Sequence, residues 1–225
     1  MTTVAIHQPE YLPWLGLLQK MKRADVFVIL DDVQFNRASF QHRARIAHPD
    51  GHASWLTIPF VHRYPQRINE VETSDPTWVK RHAEQIRNAY TDAPHFASMW
   101  SSLGPFYATP RTGRIVDPVV ALLPVFADAF GFRPEMVCSS DLDAEGQKSD
   151  RVLDICRRLK ATRYLCGETA AHKYLDHAAF ATSKIKVVVQ QYDMPRYRNG
   201  LPDGFTLSAL DAWAHLGERA KELIA

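Results

Sequence analysis

Val4-Ala5-Ile6-His7-Gln8-Pro9-Glu10-Tyr11-Leu12-Pro13-Trp14-Leu15-Gly16 opens the chain, and its reading decides the fold. Three small or β-branched apolar residues form a short strand. A polar loop beginning His7-Gln8-Pro9 follows, and Leu15, Leu17, Leu18 and Met21 then recur as on a helix that starts near Pro13 and ends before Asp25. A second strand, Val26-Phe27-Val28-Ile29-Leu30, runs straight into Asp31-Asp32-Val33-Gln34-Phe35. Strand, helix, strand with continuous apolar runs is the pattern of a parallel sheet covered on both faces. In such a sheet ligands are held in the crevice past the carboxyl ends of the strands. His7-Gln8 and Asp31-Asp32 both fall there.

The last third of the chain repeats the alternation. Met136-Val137-Cys138, Tyr164-Leu165-Cys166-Gly167 and Lys186-Val187-Val188-Val189-Gln190 read as strands. Helical patterns run over Ser149 to Leu159, Ala171 to Phe180 and Leu207 to Ala225. The middle differs. A start signal at Ser74-Asp75-Pro76 leads a helix carrying Trp78, Val79, His82, Ile86 and Tyr90, and two more helical stretches run from His95 to Tyr107 and from Asp117 to Phe130, the latter with Pro124 as a kink point. Residues 36–54 read as a polar loop or a hairpin turning at Pro49-Asp50-Gly51, before a third candidate strand, Trp55 to Pro59. The expectation is one α/β domain over residues 1–225: an open, mostly parallel, Rossmann-like sheet with flanking helices and a helical insertion at about 74–130.

Composition narrows the function classes. The 225 residues are 46% hydrophobic and 23% charged, values of an ordinary soluble protein. A formal charge of +2, with no interleaving of basic and exposed aromatic residues, argues against a nucleic-acid partner. No apolar run is long enough to span a bilayer, and no secretory leader is visible. Three cysteines without CxxC spacing fit a reducing cytoplasm. The ten histidines are scattered and no His/Cys/Asp cluster has ligand spacing, so neither a metal site nor a cofactor is expected.

Each polar candidate has a bland reading beside the chemical one. His7 and Gln8 place an imidazole and an amide over the sheet, or simply hold a turn. The histidine of HxGH-type nucleotidyl-transfer motifs needs a second histidine three residues on, where this chain has Glu10. Asp31 and Asp32 on an extended chain point to opposite faces, so a cap or salt bridge is expected over a paired acid/base or metal role. If the chain stays extended, Gln34 faces the same way as Asp32. Arg37, Gln41, His42, Arg43 and Arg45 can grip a carboxylate or phosphate, or form a solvated loop. Cys166 invites a Cys-His nucleophile, but packing in a tight strand-to-loop turn is favoured. Glu168, just beyond it, is placed to face the same crevice as His7.

The segments His7 to Gly16, Ala24 to Phe35, Trp55 to Pro59, Tyr164 to Gly167 and Leu207-Ser208-Ala209-Leu210-Asp211 resemble the WbqC-like protein family, over essentially the whole chain. The resemblance implies a bacterial biosynthetic enzyme acting on a sugar or amino compound, of acyl or aminoacyl transferase type. Its donor would be a coenzyme A or carrier-protein thioester, which makes an acyl carrier protein a candidate partner. Carried over by position, the motif polar residues are His7, Gln8, Tyr11, Asp32, Gln34 and Arg43. Two positions depart from the pattern: His42 stands where asparagine is expected, and Cys166 where serine is, which argues against a general cysteine nucleophile. The site expected is therefore His7, Gln8 and Asp32 for catalysis, with Tyr11, Gln34, Arg43, Cys166 and Glu168 binding substrate. The rivals are an ATP-using, adenylate-forming or nucleotidyl-transferring enzyme, and a non-catalytic binding component of a polysaccharide or natural-product pathway.

Overall fold

The computed structural model describes residues 1–61, 63–201 and 206–225. β1 (Thr3–His7), α1 (Leu15–Lys22) and β2 (Val26–Ile29) form the opening unit, with β1 and β2 parallel from Val4↔Val26 to His7↔Ile29. The chain then leaves this sheet. β3 (Arg43–Ala47) and β4 (Ala53–Thr57) make an antiparallel hairpin of their own, and β5 (Phe60–Val61) pairs with β6 (Glu72–Thr73) in a second small ribbon. The third candidate strand therefore lies in the hairpin and not in the parallel sheet. The turn explains it: Gly51, at φ +86°, reverses the chain so that β4 pairs with the segment just before it.

The helical middle is α2 (Trp78–Tyr90), α3 (Phe96–Tyr107) and α4 (Val116–Ala129), and α4 runs through Pro124 as one continuous helix. β7 (Glu135–Cys138) returns to pair with β2. Then follow α5 (Lys148–Arg158), β8 (Arg163–Cys166), α6 (Glu168–Lys173), α7 (His177–Thr182), β9 (Lys186–Val189) and α8 (Ala209–Leu216). The helix expected from Ala171 to Phe180 is thus split in two, because Asp176 caps α7 by accepting from the Ala178 and Ala179 amides. The C-terminal helix also breaks, at Gly217 (φ +58°), into 3-10 turns over Gly217–Ile224. A side chain at Gly217 would meet the His95 ring at 2.6 Å.

The five parallel strands lie in the order β7-β2-β1-β8-β9. Numbered by appearance in the sheet, that is third, second, first, fourth, fifth: a doubly wound α/β sheet whose order reverses between β1 and β8. Alternation along the strands feeds two cores. Ala5, Phe27, Ile29 and Leu165 pack on the side of α1, the helical middle and α8. Val4, Ile6, Val26, Val28, Tyr164 and Cys166 pack on the side of α5 and α7. Each large side chain so buried contributes roughly 1.5–3 kcal/mol. Helices covering both faces leave one open place along the central strands, the crevice at the order reversal.

Candidate functional site

A cleft of about 840 Å³ lies over the carboxyl ends of β1, β8 and β9. Its walls come from His7 and Gln8 after β1, Trp14 and Lys20 of the α1 segment, Gly167 to Ala170 after β8, and Gln190 to Asp193 after β9. This is the crevice that the strand order marks as the ligand site of a doubly wound sheet.

His7 sits at its centre with 33% of its side chain exposed. Its Nδ1–H donates to the Gln8 carbonyl at 2.8 Å, which fixes the tautomer and leaves Nε2 as the acceptor nitrogen. Burial, with help from the Lys20 charge and against the Gln8 bond, pushes the imidazole pKa down to about 3, so the ring is neutral at physiological pH. Gln8 is held through its Oε1, which accepts from Gln41 Nε2 at 2.8 Å, while Gln41 Oε1 accepts from the Asn36 amide at 3.0 Å. That chain leaves the Gln8 side-chain amide protons without a partner among the described residues.

Two ionisable groups that the sequence did not single out flank His7. Glu10 Oε1 is 3.8 Å from His7 Nδ1, and burial raises its carboxyl to about 8 against the pull of Lys20. Lys20 is 3% exposed, and its Nζ donates to the Ile6 carbonyl at 2.8 Å. Burial lowers its ammonium to about 8, opposed by Cys166 and Glu10. An aromatic pair forms another wall: Trp14 and Tyr192 meet edge to face at 5.7 Å, and Tyr192 Oη donates to the Leu223 carbonyl at 3.0 Å. Gly16 makes room for it, since a Cβ there would lie 2.1 Å from the Trp14 ring. Gln190 Nε2, donating to Gly16 O at 2.7 Å and Gln19 Oε1 at 2.8 Å, ties β9 to α1.

Of the residues expected at the site, the structure brings His7, Gln8 and Glu168 together in the lining. The others lie elsewhere. Tyr11 is 1% exposed and turned into the helical layer, its hydroxyl 2.8 Å from His82 Nδ1 and 2.7 Å from Tyr107 Oη. Asp32 forms an ion pair with Arg151 and accepts from Ser139 Oγ at 2.6 Å. Asp31 also accepts from Ser139 Oγ, at 3.1 Å, so the two carboxylates converge instead of diverging. The reason is that strand geometry ends at Ile29, before either of them. Gln34 is exposed and bridges to Arg67. Arg43 donates to the Ser39 carbonyl at 3.3 Å and stacks on Trp55 at 4.3 Å. His42 is wedged against Phe35 and Phe60, and burial lowers its pKa to about 4. Cys166 is 0% exposed in the α5–α7 core, where burial raises its thiol pKa, so it is not a standing thiolate. Among the described residues no group of three or more His, Cys, Asp or Glu could hold a metal ion, and no helix is long and apolar enough to cross a membrane.

Fold and cleft together define a doubly wound α/β protein with a polar ligand crevice beside its first strand. The model of the WbqC-like protein family matches residues 8–223, and the chain belongs to that family. An uncharacterized protein of Mycobacterium tuberculosis is 29% identical over 228 residues, spanning 100% of this chain and 98% of its relative. No solved structure matches the chain.

Proposed function

We propose that the protein is a biosynthetic acyl or aminoacyl transferase that forms an amide on an amine-bearing small molecule, a sugar or amino compound, from a coenzyme A or carrier-protein thioester. The observation that carries the reading is the His7 tautomer. With Nδ1–H given to Gln8 O, the lone pair of Nε2 remains available at a cleft of about 840 Å³. A neutral imidazole presents Nε2 as a proton acceptor; at a pKa of about 3 it is a weak base in the empty cleft, and the reaction requires bound reactants to raise it toward neutral. In the reaction the acceptor nitrogen bonds to the thioester carbonyl carbon and Nε2 takes the proton the nitrogen sheds. The C–S bond then breaks, and the proton passes to the departing thiolate. Gln8, with its amide protons unspent, orients the carbonyl, and Glu168 at the rim receives the acceptor amine.

The test is single-turnover amide formation by wild type and His7→Ala with aminoacyl thioesters of coenzyme A and of a carrier protein. His7→Ala should be slower by roughly 10²–10⁴-fold with its melting temperature unchanged. Equal turnover by the variant removes His7 from the mechanism.

One observation favours a second reading. The order reversal between β1 and β8 is where doubly wound sheets hold nucleotides, which suits an ATP-using, adenylate-forming enzyme. Glu10 in place of a second histidine counts against it. ATP with magnesium at about 100 times its Kd would add roughly 2.7 kcal/mol of stability, which a melting curve reads directly.

A further inference from the structure

Lys20 is a buried cation that forms no ion pair among the described residues. It is 3% exposed, it lines the cleft, and one of its three N–H bonds is spent on the Ile6 carbonyl. Among the described residues no carboxylate pairs with it. Glu10 and Cys166 act on it through space without forming an ion pair. The Glu10 carboxyl is held mostly protonated at neutral pH and the Cys166 thiol is pushed up, both by burial, while the His7 ring is neutral. A buried ammonium left unpaired is costly, and proteins retain one where something pairs with it. The opening beside Lys20 is the cleft.

We infer that the cleft is built for a ligand carrying an anionic oxygen, of a carboxylate or a phosphate, and that Lys20 Nζ receives it. Two ammonium N–H bonds and the free side-chain amide of Gln8 are among the donors of the lining, with the Thr169 hydroxyl and the Gln191 amide, and a charge-assisted bond from a buried lysine is the strongest of these. The arrangement also explains why a lysine occupies a position that α1 otherwise buries. The other buried residues of that helix are Leu15, Gly16, Leu17, Leu18, Gln19 and Met21. The inference shares its cleft with the proposed transfer reaction but does not need His7 to act as a base.

The experiment follows the Lys20 side-chain resonances of labelled full-length protein by NMR during titration with sodium acetate, inorganic pyrophosphate and, at matched ionic strength, sodium chloride. Acetate or pyrophosphate should shift the Lys20 signals saturably and raise its pKa, with chloride inert. Saturation by acetate identifies a carboxylate ligand, and saturation by pyrophosphate a phosphate one. The same anion should bind Lys20→Met at least tenfold more weakly than wild type. Lys20 signals that ignore both anions, or respond equally to chloride, overturn the inference, as does Lys20→Met binding at wild-type affinity. The wild-type titration decides alone if Lys20→Met does not fold. A protein that binds the anion yet forms no amide refutes only the transfer reaction.

Discussion

Two polar clusters lie past the carboxyl ends of the same sheet, and they are built in opposite ways. Beyond β2 and β7, Asp31 accepts from Ser139 Oγ, the Ser140 amide at 3.0 Å, Ser140 Oγ at 2.8 Å and Asn69 Nδ2 at 3.3 Å. Its neighbour Asp32 takes Ser139 Oγ and Arg151. The acceptors of this cluster are used, and they tie the β2 end to the segment after β7, to α5 and to the loop before β6. Beyond β1 and β8 the capacity is unspent: His7 Nε2, two N–H bonds of Lys20 and the amide protons of Gln8 face a cleft. Position past a strand end makes a residue a candidate. What separates a site from a latch is whether its hydrogen bonds are already spent within the protein.

The comparison breaks first at Asp31. Asp31→Ala removes the acceptor of the Ser140 amide, the Ser140 hydroxyl and the Asn69 side chain where a 4% exposed carboxylate stood, while Ser139 Oγ keeps its 2.6 Å bond to Asp32. Ser140 is exposed and Asn69 half-buried, so water can replace part of what is lost, and the cost is on the order of 3 kcal/mol. The denaturant midpoint should fall accordingly with the slope unchanged. A loss under about 1 kcal/mol would mean that the cluster is not a latch.

That latch and that cleft were unequally legible in the sequence. The strands were readable because β1, β2, β8 and β9 are short apolar runs, and their helices followed from spacing. His7, Gln8 and Glu168, expected at a crevice from their places past strand ends, line the cleft. The Asp31-Asp32 parity argument failed because it assumed an extended chain two residues beyond where the strand stops. Tyr11 could not be placed, since its partners His82 and Tyr107 are 71 and 96 residues away. The core position of Cys166 was the favoured reading, and the strand makes it concrete: it shares a face with Tyr164, opposite Leu165. Lys20 looked like any helix-surface lysine. The only available signal was its setting, a helix tucked between two buried strands where no solvent face is guaranteed.

Acid sharpens the contrast next. His7, His42 and His82 all have pKa values lowered by burial, His82 to about 4 from 6.5. A histidine whose folded pKa is depressed takes up its proton more readily when unfolded, so stability is full above 6.5 and is lost as pH falls below it. His82 alone is worth on the order of 3 kcal/mol across that window. It accepts the Tyr11 hydroxyl proton through Nδ1 while Nε2–H donates to Thr57 O at 3.1 Å, and protonation would break the first of these bonds. Unfolding free energy measured from pH 7 to 4 should drop steeply, and His82→Gln should flatten the drop. An unchanged slope in His82→Gln would place the acid sensitivity elsewhere.

The smallest effect has the most telling sign. Replacing a latch residue must destabilise, because it removes several hydrogen bonds of a buried carboxylate. Replacing Lys20 by methionine should instead stabilise the ligand-free protein, by about 1 kcal/mol. The substitution shortens the unbranched side chain by one atom and forfeits one bond to the Ile6 carbonyl, but it removes an ammonium that burial disfavours enough to lower its pKa to about 8. Residues kept for binding at a cost in stability behave this way. Melting curves at pH 7 without added anions read the sign. A higher melting temperature for Lys20→Met, together with its weaker anion binding, marks Lys20 as a group retained for a ligand. A lower one would put Lys20 with Asp31 and Asp32, as part of the frame that holds the β1 end in place.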